Sequence, residues 1–313
     1  MKQVVKKLAS MIITLLIVSF LVFLAFDLIP GDAAISRLGT QATPERVEAL
    51  REEMGLNRPF LVRYGTWLAD FVRGDMGTSY SYSKPVTEMV ADKLPITITM
   101  ITMAFVLIVA VSLPMGVYTA KHQGSFIDRF ISIFNQILMA VPPFFSGIII
   151  TFVFGVILKW FVPGGFVSYS KSVGKFIGYM IYPAVAIAIP KIAMAVKLLR
   201  TSILEEAGRD YVRTAYSRGN RTGGVLKHHV LKNALIPVIT FLGMALSDMI
   251  AGSIIIEKVF NIPGLGRILL TSISNRDYPV VEAIIMLIAL LVVVTNFVVD
   301  VLYRVIDPRM RDN

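Results

Sequence analysis

ITITMITMAFVLIVAVSLPMGVYTA, Ile96 to Ala120, runs for 25 residues without an aspartate, glutamate, lysine or arginine. A helix needs about 20 consecutive apolar residues to cross the hydrocarbon of a bilayer, so this run is long enough to span one. Five more long, predominantly apolar runs flank it: Leu8 to Phe26, Phe130 to Leu158, Phe176 to Val196, Ala234 to Ile256 and Val281 to Tyr303. The expected fold is therefore an all-α polytopic membrane protein with six transmembrane helices. The third run is broken by Pro142-Pro143 and the fourth contains Pro183 and Pro190. Proline frees backbone carbonyls that neighbouring helices or water must satisfy, so kinks packed inside a helix bundle are expected there.

Composition agrees. Of 313 residues, 55% are hydrophobic and only 17% charged, where soluble domains carry about 25% charge; mean hydropathy is +0.70. The net charge of +10 sits at the ends of apolar runs rather than in a basic stripe interleaved with aromatics, which argues for membrane topology over nucleic acid. The chain has no cysteine, so disulfides, thiol catalysis and zinc-thiolate sites are excluded.

Orientation follows from lysine and arginine in the short loops, because long loops cross regardless of charge. With the N-terminus inside, the cytoplasmic pieces hold fifteen such residues and the short outer loops six. Both termini are thus expected in the cytoplasm. The division reads as an N-terminal transmembrane helix (1–29), an extracytoplasmic segment (30–93), a five-helix transmembrane core (94–306) with a cytoplasmic loop (200–232), and a cytoplasmic tail (307–313). The first run could instead be a signal peptide after Lys2, Lys6 and Lys7, but it is longer than an h-region and no small-x-small cleavage site follows.

Within the long segment, TPERVEALREEMGL predicts a short surface helix: Thr43 as N-cap, Pro44 at the first helical position, glutamates in the first turn and Gly55 as the stop. PFLVRYGTWLADFVRG, Pro59 to Gly74, reads as a second amphipathic helix, either along the outer interface with Tyr64 and Trp67 at headgroup level or simply solvated.

Catalytic groupings are scarce. His228 and His229 are adjacent on the chain and so do not share a helix face, and no phosphate-binding G-x-x-x-x-G-K-[ST] loop occurs. An enzyme is not expected. Asp248 is the one carboxylate near the middle of a span, with Lys191 nearer the inner end of the fourth. Ionisable residues inside spans are functional candidates; Asp248 fits a polar translocation path or a pairing with a partner helix. PGLGR at Pro263 to Arg267 lacks the third glycine of a dinucleotide fingerprint and reads as a tight turn.

RDYVRTAYSRGNR, Arg209 to Arg221, lies between two spans. Asp210 can cap a helix, Tyr211 to Arg218 can form it, and Gly219 can end it in the left-handed conformation. Val212, Ala215 and Tyr216 fall on one face. A helix this short is marginal alone, so something must hold it. A basic loop lying on lipid headgroups and a knob inserted into a soluble partner both fit the spacing, with small Ala215 and Gly219 permitting close approach.

This loop resembles the cytoplasmic E-A-A-x3-G-x9-I-x-L-P loop in the membrane subunits of bacterial ATP-binding-cassette importers. Arg213-Thr214-Ala215 and Gly219 fall at the E-A-A and G positions and Leu231 at the L. Arg213, Thr214, His229 and Lys232 depart from the pattern, so no glutamate argument applies. DYVRTAYSRG with HVLKNALIPVIT is similar to the peptide and nickel branch of that family, as are LIPGDAA at Leu28, MGLNRPFLVRY at Met54, GDMGTSY at Gly74, VFNIPGLGR at Val259, RDYPVVEA at Arg276 and VDVLYRVIDPRMR at Val299.

The resemblance implies a permease of the bacterial cytoplasmic membrane that pairs with a second, homologous permease in a heterodimer. Two ATPase subunits would bind below, carrying the ATP and Mg, and an extracytoplasmic binding protein above; this chain would bind no cofactor. Asp210, Tyr211, Val212, Arg213, Ala215, Tyr216 and Gly219 would form the ATPase-coupling helix. Asn261, Pro263, Gly264 and Gly266 would lie near an outer gate and the docked binding protein, or in a mere loop. Di- and oligopeptides are the expected cargo, with nickel, metal chelates and glutathione as alternatives. A rival class is an ion-coupled secondary transporter, which would show more intramembrane charge and an internal repeat.

Overall fold

The computed structural model of the chain describes residues 2–28, 33–38 and 42–306. The expected tail 307–313, residues 30–32 and 39–41 of the extracytoplasmic segment, and the corresponding parts of LIPGDAA and VDVLYRVIDPRMR lie outside the described residues. Among the described residues every regular element is helical.

In chain order these are α1 (Lys2–Leu28), α2 (Ala33–Leu38), α3 (Pro44–Glu53), α4 (Phe60–Val72), α5 (Val86–Lys121), α6 (Phe126–Ala140) and α7 (Pro143–Ile150), the last continued by a π-helical stretch, Thr151–Ile157. Next come α8 (Val173–Ala207), α9 (Asp210–Ser217), α10 (Thr222–Val225) and a second π-helical stretch, Leu226–Val230. The chain then runs through α11 (Leu231–Val259), α12 (Leu265–Ser274) and α13 (Tyr278–Ile306).

Five helical segments are long and apolar enough to cross a membrane, lying in α1, α5, α8, Gly223–Val259 and α13. The expected third span is different: α6 and Pro143–Ile157 meet at 102°. At about 1.5 Å per residue, each fifteen-residue arm reaches about 22 Å, short of the ~30 Å hydrocarbon. The cause is the proline pair. A residue before proline is pushed out of the α region, and here two in succession are: Val141 has φ −84° and ψ 120°, Pro142 φ −63° and ψ 144°. Two extended residues turn the chain where one would only kink it. The isolated Pro183 and Pro190 leave α8 continuous over 35 residues.

The chain divides into two compact units. The first contains residues 1–97 and 263–294. Here α3 begins as its sequence predicts: Thr43 Oγ1 accepts from the Arg46 amide, Pro44 sits in the first turn, and Gly55 follows at φ +66°. The aromatic face of α4 packs on α1, with Phe20 and Phe23 in ring contact with Phe60 and Tyr64, and Phe23 also with Trp67. A hydrogen bond between Ser19 and Tyr64 and an ion pair between Arg63 and Asp27 complete that seam. Neither reading of α4, interfacial or solvated, anticipated a partner helix for this face.

GDMGTSY and RDYPVVEA also meet in this unit. The Asp277 carboxylate, fully buried, accepts from Ser79 Oγ at 2.5 Å, the Tyr80 amide at 2.9 Å and the Ser81 amide at 3.2 Å. Three charge-assisted bonds of this kind offset the cost of burying a carboxylate. They fix the loop before α5 to the start of α13.

The second unit holds residues 98–262 and 295–313. Its centre is α8, which packs against α6, α7 and α11. Ala184, Ala186, Ala188, Ala193 and Ala195 are all fully buried; small residues let helix backbones approach closely in a membrane. At one end of the unit Asp128 of α6 binds Arg200 of α8 in a two-pronged ion pair of 2.7 and 2.8 Å, and accepts the Gly124 amide at 2.9 Å.

Candidate functional site

Two features of the second unit carry the candidate chemistry. The first is the short helix α9, which begins three residues after α8 ends. Its cap differs from expectation: Arg209 is the N-cap and offers no side-chain bond, while Asp210 is the first helical residue. The carboxylate therefore acts on the dipole at the N-terminus rather than as a cap. Gly219 ends the helix at φ +81°, as read from the sequence.

Val212 and Ala215 are buried, at 1% and 6% exposure, on the side of α9 that meets α10 and the π-helical stretch after it. Tyr216, expected to share that face, is 45% exposed. Tyr211 donates to Glu206 Oε2 at 2.5 Å and accepts from Asn233 Nδ2 at 3.0 Å, tying α9 to the end of α8 and the start of α11. Desolvation, together with the bond to Glu206, pushes the Tyr211 phenol above its ordinary pKa, so it stays a neutral donor. Asn220 Nδ2 caps the end by donating to the Ala215 carbonyl at 3.0 Å. Much of the support that a short helix needs thus comes from this chain. Arg213, Thr214, Ser217, Arg218 and Gly219 are left exposed, and a Cβ added at Gly219 would meet nothing within 4 Å.

The second feature is a cavity of about 550 Å³ at the break between α6 and α7, lined there by Met139 to Pro143, by Pro190, Lys191 and Met194 of α8, and by Phe241, Met244, Ala245 and Asp248 of α11. Lys191 Nζ donates to Asp248 Oδ2 at 2.7 Å; the lysine side chain is 22% exposed and the aspartate 67%. The sequence singled out Asp248 but put Lys191 nearer the end of its span. Lys191 lies near the middle of the observed 35-residue helix, and its nearness to Pro190 was the available signal. The cavity offers both signs of charge amid flexible thioethers and one aromatic ring.

The remaining predicted residues lie elsewhere. Asn261, exposed and at φ +55°, ends α11; next to it the Phe260 carbonyl accepts from Tyr179 Oη at 2.7 Å. Pro263 and Gly264 lead directly into α12, with Gly264 as its N-cap, and Gly266 buried in its first turn. PGLGR is therefore a helix start as well as a turn. The Leu265 amide, one of the unpaired donors of that start, donates to Thr97 Oγ1 at 3.0 Å.

The chain falls in a known class. Residues 112–312 match the family described as the binding-protein-dependent transport system inner membrane component, and residues 1–101 match its N-terminal family. The chain belongs to this family of multi-pass inner membrane permeases. It is 36% identical over 308 residues, 98% of each chain, to the "probable peptide ABC transporter permease protein y4tP" of Sinorhizobium fredii. To the oligopeptide transport system permease protein AppB of Bacillus subtilis it is 36% identical over 299 residues, 95% of each chain. The dipeptide transport system permease protein DppB of Alkalihalophilus pseudofirmus is 32% identical over 327 residues, 98% of each.

Proposed function

We propose that this chain is the permease of a peptide importer, moving di- or oligopeptides across the cytoplasmic membrane by alternating access that partner ATPases drive. The names of the three relatives support the cargo, since the match to each covers at least 95% of the chain. In this reading the bent pair α6–α7 counts as one span, giving six with both termini in the cytoplasm. Residues 30–93 face outward, 94–306 form the core, and 200–232 face the ATPases. A second permease completes the pathway. ATP and Mg belong to the two ATPase subunits, and a binding protein delivers peptide to the outer face.

The single observation that carries the coupling role is α9: a helix braced on its inner side by its own chain, open on its outer side, and joined directly to the central helix α8. Asp210, Tyr211, Val212, Arg213, Ala215, Tyr216 and Gly219 form the docked element, Val212 and Ala215 by keeping it rigid, the exposed ones by contact. Closure of the ATPases displaces α9, and the packed helices behind it switch as a body. The Lys191–Asp248 pair suits a zwitterionic peptide, whose ammonium and carboxylate can each replace one partner of the pair.

Gly219→Trp tests the docking. The indole has room but strains a left-handed position, a strain that Gly219→Ala shares without the bulk; both variants insert in the membrane normally, Gly219→Ala retains most ATP-dependent uptake of labelled dipeptide, and Gly219→Trp, which blocks the approach of a partner, loses it. Wild-type uptake by Gly219→Trp, or uptake abolished by a protonophore while ATP persists, would overturn this reading.

A further inference from the structure

The first compact unit has a cavity of its own, about 550 Å³, walled by Phe23 and Phe26 of α1, Trp67 of α4 and Tyr278 of α13. Glu282 lines it and is 8% exposed, and among the described residues it makes no hydrogen bond or ion pair. Tyr278 and Arg63 line the same cavity, and their Oη and Nε atoms are buried without a hydrogen-bond partner. Three residues with unsatisfied polar groups thus line one space. Buried polar groups are almost always paired, and an isolated buried carboxylate is costly to ionise until a cation joins it, being otherwise neutralised by a proton.

The complement of this cavity can be read off group by group. Glu282 calls for a cation, and the Tyr278 oxygen can accept a further hydrogen from it. Aromatic faces attract cations by their quadrupole, and Phe23, Phe26, Trp67 and Tyr278 supply them; of the charged residues that also line the cavity, Asp27 and Asp70 favour a cation, Arg51 is paired with Glu48, and Arg58 opposes one. Arg63 does not oppose a cation, because its charge is cancelled by Asp27; its free Nε–H calls for an oxygen beside the cation. We propose that this cavity binds a primary ammonium with a neighbouring oxygen, Glu282 serving as the counter-ion, Tyr278 as acceptor and Arg63 Nε as donor to the oxygen. A peptide amino terminus and an ethanolamine phospholipid headgroup share that chemistry. The site does not rest on the peptide-import reading, and its test needs no transport.

Trp67 lines the cavity, and the chain has two tryptophans, so a Trp160→Phe background makes Trp67 the sole indole reporter. The full chain is placed in nanodiscs of phosphatidylglycerol and titrated with glycinamide or with acetylglycinamide, which lacks the ammonium. A second set of discs replaces half of that lipid with phosphatidylethanolamine. Saturable change in Trp67 emission with glycinamide alone, weakened at least tenfold in Glu282→Gln, supports an aqueous amine. A change seen only with phosphatidylethanolamine, and lost in Glu282→Gln, supports the headgroup. Tyr278→Phe, which removes one oxygen and no charge, weakens either response several-fold and stands in should Glu282→Gln fail to fold. Equal responses to glycinamide and its acetyl derivative, no response in either arm, or responses indifferent to both substitutions would overturn the site.

Discussion

Asp128 and Arg200 show how much a single pair can carry. The carboxylate is 3% exposed and the guanidinium 25%, so water does little to screen their two parallel bonds. Breaking a buried pair on one side leaves an uncompensated charge and costs about 3–5 kcal/mol; the partial exposure of Arg200 sets the lower end of that range, about 3. Asp128→Ala should therefore lower the melting temperature in detergent markedly, while the reversed pair Asp128→Arg with Arg200→Asp recovers part of the loss. No recovery would mean that the geometry at Gly124, and not the charge pair, supplies the stability. Neither residue was legible in the sequence, for they lie 72 positions apart. Lys191 and Asp248, 57 apart, were missed as a pair for the same reason. Gly219 was legible, because a left-handed stop after a short amphipathic run is a local signal.

At the scale of elements, local chemistry decided what could be read. The N-cap and proline of α3 and the apolar runs of the spans lie within a few residues of what they specify, and the structure follows them. In the sequence the bend between α6 and α7 reads only as a kink, because the proline pair announces a break but not its angle. Packing between helices was hidden for a further reason, since a glycine in an apolar run looks the same whether it is crowded or open. Gly243 of α11 is crowded: an added Cβ would lie 2.2 Å from Val299 Cγ1 of α13. Gly252 of the same helix is open, with nothing within 4 Å. Overpacking costs about 1–3 kcal/mol, whereas alanine is up to about 1 kcal/mol better than glycine in a helix interior. Gly243→Ala should thus destabilise the purified protein and Gly252→Ala should leave it unchanged or firmer, measured by thermal unfolding. The same shift in both would refute a close α11–α13 contact.

For the whole molecule, the charge count along the chain predicts which loops face which compartment, and the absence of cysteine makes the native chain a ready background for testing it. Tyr82 is 47% exposed and Arg218 lies exposed at the end of α9. With single cysteines introduced there, an impermeant maleimide added to intact cells should label Tyr82→Cys at once and Arg218→Cys only after permeabilisation. The reverse order would invert the topology and with it the docking face. One feature of α8 then acquires a mechanical meaning. From Lys191 to Ala207 the helix rises through sixteen steps, about 24 Å, and α9 hangs from its far end. A hydrogen-bonded helix is stiff along its axis but yields sideways where proline removes a bond, and Pro190 stands immediately beyond Lys191. In the proposed coupling the segment would serve as a push-rod with a compliant joint at its tip: thrust delivered at α9 would reach the cavity along the helix axis, while lateral jostling would be absorbed at the joint before it disturbs the charge pair.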